Sequence, residues 1–215
     1  MSTMTRSTMN HLVSLAAVAV AVAVAVAPVR GEPVTAPTTA PGESPKATLI
    51  AYNAAMRAGD VDGIVALHHA TNDNERKVAR AIAASEVEVG KLLAAARAKF
   101  GDAGAATVGR AIGDVSDADI QAATEQVRGD RAVLQFKQGG AAALVRADGE
   151  WKASVAEVLR GAGDAQQAID RFTRRGSFAR GLAQDISAGK VKSADEAAAR
   201  IERHERGVSE DDPSN

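Results

Sequence analysis

The chain has 215 residues, 46% hydrophobic but only 3% aromatic, with one Trp, one Tyr, no Cys and a formal net charge of -1. Such a chain can bury one ordinary core, built from Ala, Val, Leu and Ile, and has no room for two large domains. The near-zero charge gives no electrostatic footprint for nucleic acid or an acidic membrane. Without cysteine there is no disulfide staple and no attachment point for a diacylglyceryl anchor.

Residues 1–31 read as a signal peptide. Arg6 sits in a short n-region without acids, Leu12–Ala27 is a run of sixteen residues interrupted only by Ser14, and Pro28 breaks it before small residues near Gly31. The run is short for a membrane span, which needs about 20 apolar residues. Cleavage near Gly31 removes Arg6 and Arg30 and no acid, leaving 24 basic and 27 acidic side chains, a net of -3. The expected destination is periplasmic or secreted, with no stable membrane anchor after cleavage. Residues 32–45 carry four prolines among Thr, Ala and Gly and read as an extended linker.

Pro45 suits the first position of a helix capped by Ser44, and Leu49, Tyr52 and Met56 then share one face. Gly59 ends that helix and Asp60 caps a second, short one. Asn72-x-x-Glu75 reads as a capping box opening a helix of about seven turns to Gly101, followed by a shorter one over Ala103–Ile112. The charged face of the long helix (Glu75, Arg76, Glu86, Lys91, Arg97) is expected to face water. From Asp117 the period changes from 3.6 to 2. Ile120–Val127 reads as a first strand, and Ala132, Leu134 and Phe136 alternate along the next. Turns at Gly129-Asp130, Gly139-Gly140 and Asp148-Gly149 complete a four-stranded meander, with Trp151 an anchor on the sheet face. Helical spacing returns over 164–206, with a bend expected at Gly176 and a capping box at Ser193-x-x-Glu196. Residues 207–215 read as a disordered tail.

The segment Tyr52-Asn-Ala-Ala-Met-Arg-Ala-Gly59-Asp60-Val-Asp-Gly-Ile-Val-Ala-Leu67 resembles the opening of the nuclear transport factor two-like, or SnoaL-like, domains, which include ketosteroid isomerase. More loosely, Asp130–Val155 resembles their meander. The resemblance implies an α+β fold over 46–158, in which N-terminal helices pack on a curved, cone-like antiparallel meander, with the helices of 164–206 as an extension. It also implies an oxyanion-donor position at Tyr52. The base position falls near Arg76, with Glu75 beside it expected to face water. The second carboxyl position falls near Ala143, on a strand without acids. One of the three catalytic positions of the isomerase relatives is therefore occupied.

His68 is expected either to point toward the mouth of the cone or to bond to backbone. It cannot share a metal easily with His69, because neighbouring helical residues diverge. Asp114-x-x-Asp117-x-Asp119 lacks the glycine and terminal Glu of a calcium loop and reads as a turn. Arg171, Arg174, Arg175 and Arg180 lie among Asp164, Asp170 and Asp185 and read as a solvated helix face. No catalytic residue, metal site or cofactor is assigned. The expected pocket residues are Tyr52, His68, Phe136 and Trp151. The expected function is an exported, non-catalytic domain binding a small apolar ligand or a protein partner. The alternative is a proton-transfer isomerase or cyclase using Tyr52 and His68.

Overall fold

The computed structural model describes residues 42–207; the expected signal peptide, most of the expected linker and nearly all of the expected tail lie outside the described residues. The fold is α+β, with seven helices and a five-stranded mixed, open sheet among the described residues. No helix among them is long and apolar enough to cross a membrane.

Helix α1 (Pro45–Ala58) begins as its sequence dictates, with the Ser44 hydroxyl accepting from Ala47 N–H and proline in the first turn, and ends at Gly59 in the left-handed conformation. Asp60 then caps α2 (Val61–Ala66) by accepting from Gly63 N–H. His68–His69 form β1, a two-residue strand parallel to β5, so the sheet is mixed rather than wholly antiparallel. Helix α3 (Asp73–Ile112) contains a break at Gly101, where φ is 74° and ψ -176°. It is two helices in series, as the spacing implies.

The expected strand over Ile120–Val127 is corrected by the structure. Ser116 caps a short helix, α4 (Asp117–Ala122), and the strand β2 spans Thr124–Arg128. The Ser cap, with acids in the first turn at Asp117 and Asp119, outweighs the weak alternation there. Strands β3 (Arg131–Gln135), β4 (Ala141–Ala147) and β5 (Glu150–Ser154) follow in antiparallel register with β2. At the β4–β5 turn both Asp148 and Gly149 have positive φ, 54° and 84°, the primed geometry that matches strand twist.

Alternation decides which face of the sheet is covered. Ala132, Leu134, Leu144 and Trp151 are buried in one cluster with Leu49 of α1 and Ile120 of α4, whereas Val133 is 42% exposed on the other face. Helix α5 (Val155–Ala162) leaves the sheet directly from β5 and leads to α6 (Ala165–Ser187) and α7 (Ala194–Glu205). These last helices are more than an appendage. Ala179, Leu182, Ile186, Ala197 and Ile201 share the largest core cluster with Leu92, Ala96 and Val108 of α3 and with Tyr52 and Met56 of α1.

Two capping boxes take a shifted form. Asn72 and Ser193 accept from Glu75 and Glu196 N–H, but the two glutamates reach back to Thr71 N–H (2.6 Å) and Lys192 N–H (2.8 Å), one residue before each cap. Glu75 is thereby turned inward and buried at 8% exposure, not solvated. The expected bend at Gly176 is also absent. That glycine is a site of close approach, where an added Cβ would lie 3.1 Å from Ser85 Cα of α3.

The tightest approach is between α1 and α3. A Cβ at Gly90 would lie 2.7 Å from the Met56 carbonyl oxygen, which is backbone and cannot swing aside. Gly90→Ala is therefore expected to lower stability by about 1–3 kcal/mol, although alanine is the better helix former by about 1 kcal/mol. Gly181, exposed on α6 with nothing within 4 Å of its would-be Cβ, is the control. Gly181→Ala should raise stability by about 0.5–1 kcal/mol, and urea unfolding of the two variants reads both signs.

Candidate functional site

The inner sheet face, α1, the loop after α3, and α5 and α6 line a cleft whose cavity volume is about 60 Å³, and about 700 Å³ with the open space at its mouth counted. Its apolar walls come from Leu49 and Met56 of α1, Ile120 of α4, Phe136 at the end of β3, and Val158 of α5. Ala142 and Ala153 line it from the sheet, and their small side chains leave the space unfilled.

Polar groups reach the same space from several elements. Tyr52 is 6% exposed and lines the cleft, and its hydroxyl has no hydrogen-bond partner among the described residues. Burial and the nearby Glu86 carboxylate push its ionisation well above the ordinary tyrosine range, with Arg175 acting the other way, so Tyr52 is a neutral hydroxyl. Glu86 and Arg175 form an ion pair at 2.6 Å, their side chains only 8% and 11% exposed, and Arg175 also donates to the Ile112 carbonyl at 3.3 Å. Glu86 and Arg175, expected on solvated helix faces, are thus corrected to a buried pair that ties α3 to α6. They face inward because Gly176, one residue on, lets the helices come close enough for the charges to meet.

Asp114, expected in a turn before the first strand, lines the cleft just beyond the C-terminal end of α3. Its carboxyl is raised from 3.8 to about 6 by burial first and by Glu86 second, with Arg175 and Arg57 pulling the other way. The helix end adds to this, because the C-terminal pole of a helix disfavours negative charge. On α5, Glu157 lines the cleft, its side chain 14% exposed. One oxygen accepts from Arg160 while Oε2 is buried without a partner among the described residues. Ser154 occupies the cap position of α5 yet makes no side-chain cap bond, and it too faces the cleft.

Of the four residues expected in the pocket, Tyr52 and Phe136 line this cleft, and His68 and Trp151 do not. His68 Nδ1–H donates to the Ile64 carbonyl at 2.9 Å, and its ring meets Tyr52 edge-on at 5.6 Å between centroids. Burial lowers it from 6.5 to about 4, so it is neutral packing behind the tyrosine. Trp151 is buried in the sheet-face cluster with the Arg146 guanidinium 5.9 Å from its ring centre. Sequence reasoning missed Asp114, Glu86, Glu157 and Arg175. Only the Gly113-Asp114 step after a helical stripe signalled that a carboxylate stood at a helix C-terminus. Among the described residues no group of three or more His, Cys, Asp or Glu is placed to hold a metal ion.

Compared with protein-family models, curated proteins and solved structures, the chain finds no match.

Two outcomes follow from this geometry. Asp114 is raised in the folded state, so its protonated form is the one folding favours. The stability it contributes is full below about pH 4 and is lost as pH rises through about 6. Asp114→Asn should therefore leave stability nearly unchanged at pH 4 and raise it by about 1–3 kcal/mol at pH 7.5, read by thermal or urea unfolding at both pH values. At Tyr52, removing the ring in Tyr52→Ala should cost about 3–5 kcal/mol. Tyr52→Phe deletes only a buried hydroxyl without a partner and should cost nothing, or stabilise by up to about 1 kcal/mol. A loss in Tyr52→Phe as large as that in Tyr52→Ala would contradict the description of that hydroxyl.

Proposed function

We propose that this chain is an exported, non-catalytic domain that binds a small, largely apolar ligand in the cleft between its sheet and its helices. The observation that carries the reading is the cleft itself. It has apolar walls on several sides and a few polar groups converging in it, the pattern usual for small-molecule sites. The resemblance to nuclear transport factor two-like domains supports the same conclusion. The Gly59–Asp60 junction joins α1 to α2 as that resemblance implies, and an antiparallel meander follows α3. In this reading the sheet is the curved wall of a cone and export follows from residues 1–31.

A second reading, proton-transfer catalysis, is favoured by one specific observation. Asp114, raised to about 6, shares the cleft with the unpartnered Tyr52 hydroxyl, and a carboxyl near the working pH can exchange protons. In this form the base is Asp114 and not His68, whose ring lies behind Tyr52.

Titration of the purified protein with the neutral apolar dye Nile red tests the first reading. Saturable one-to-one binding is expected, weakened at least about tenfold by Val115→Trp, which narrows the cleft, with cooperative unfolding retained. Absence of saturable binding, or indifference to Val115→Trp, would sink it. Turnover of a Δ5-3-ketosteroid above the buffer rate, abolished by Asp114→Asn or Tyr52→Phe, would establish the second reading in its place.

A further inference from the structure

The walls of the cleft hold more acceptor and negative charge than the protein itself satisfies. Three carboxylates line it, Glu86, Asp114 and Glu157, against one guanidinium, Arg175. That guanidinium is already engaged by Glu86 and by the Ile112 carbonyl. The groups facing Asp114 are Glu86 from α3, Arg175 from α6, Arg57 from α1 and Asp117 from α4. Glu86 is bonded to Arg175, and Arg57 is bonded to Asp117 at 3.0 Å. Among the described residues Asp114 is left without a counterion of its own. On α5, Glu157 also lines the cleft, and its Oε2 is buried without a partner among the described residues. Asn53, the one side-chain amide in the lining, has its N–H groups committed to Val115 O and Asp117. The Tyr52 hydroxyl, almost wholly buried and without a partner, can accept as well as donate.

Building on the ligand-binding reading, we propose that the natural ligand is an apolar molecule bearing a protonated amine, which docks between Asp114, Glu157 Oε2 and the Tyr52 hydroxyl while its hydrocarbon body fills the apolar walls. An ammonium supplies what the cleft lacks, several N–H donors and a positive charge. An anionic ligand meets the opposite of what it needs, because the only cation lining the cleft among the described residues is already bonded. The cation also relieves the burial of Asp114 and lowers the pH at which it titrates. Affinity is therefore full above about pH 6 and is lost as pH falls through that value.

The test uses three matched probes with the purified full chain: 2-naphthylmethylamine, 2-naphthalenemethanol and 2-naphthoate, titrated by calorimetry at pH 7.5 and pH 5, with Nile red alongside. The amine should bind at least about tenfold more tightly than the alcohol at pH 7.5, with the carboxylate weakest. The preference for amine over alcohol should collapse toward one at pH 5 and in Asp114→Asn, and shrink in Glu157→Gln. Unfolding transitions of both variants, which keep side-chain size, verify that they fold. Equal binding of amine and alcohol, or binding of Nile red alone, overturns the cationic ligand while leaving the pocket intact. A preference unchanged in both variants overturns it as well. Failure of every probe, Nile red included, overturns the pocket and the cationic ligand together.

Discussion

Glu86 and Arg175 are taken out of water together, and the rest of the arrangement is organised around that pair. Removing either ion from solvent costs several kcal/mol, which their mutual attraction offsets only when geometry is close and the remaining donors find acceptors. Both conditions are met here. The charges are 2.6 Å apart, and Arg175 also donates to the carbonyl of Ile112, the last residue of α3. That second bond satisfies a helix-end carbonyl that would otherwise need another partner. Gly113, in the left-handed conformation, ends α3 beside that bond, and Asp114 leaves the helix to enter the cleft wall. The pair thus links packing to the site, holding α6 on α3 and setting the electrostatic surroundings of Asp114.

Small residues make that pairing possible. With few aromatics, the helical layer reaches high density through close approach instead of bulk. Ala83 and Ala179 are fully buried, Gly176 sits over Ser85, and Gly90 sits under the Met56 carbonyl. On the sheet side the same economy has the opposite result. Alanines at 142 and 153 stand beside Leu144 on the inner face, and the sheet cannot close on α1 as one helix closes on another. Alanine-rich sequence therefore gives a tight interface between helices and an open one between helix and sheet.

Much of this fold is legible in the sequence because its signals are local. Ser44-Pro45, Gly59-Asp60, Asn72 and Ser193 each fix a helix end through one side chain and the next few backbone groups. Asp148-Gly149 likewise needs nothing beyond its own φ angles. The two-residue strand His68–His69 was hidden because it forms only where β5 offers an edge. The helix Asp117–Ala122 was hidden because six residues are too few to show a helical period, so the alternation beyond it masked the Ser116 cap. The site was less legible still. Tyr52 and Phe136 stood out as rare aromatics, but Glu86 and Arg175 are 89 residues apart and each reads alone as an exposed charge. His68 was the more conspicuous residue in sequence, yet it was drawn to Ile64 by a local bond. A buried ion pair is a property of two helices meeting, and no single window contains it.

Asp114 stands where folding alone would not put a carboxylate. It is partly buried, it lies near a second carboxylate, and it stands beyond the negative pole of a helix. Each of these disfavours its charge. Asp117, three residues on, has the opposite surroundings. It sits in the first turn of α4, accepts from Asn53 and pairs with Arg57, and it is held below the ordinary carboxylate range. Asp117 lowers the energy of the folded chain, and Asp114 raises it at neutral pH. An asparagine at 114 would fill the same volume without that penalty. Local choices that conflict with stability concentrate at binding and catalytic sites, and this one lies in the wall of the cleft that Tyr52 and Glu157 also line. The energetic argument and the geometric one therefore identify the same few side chains.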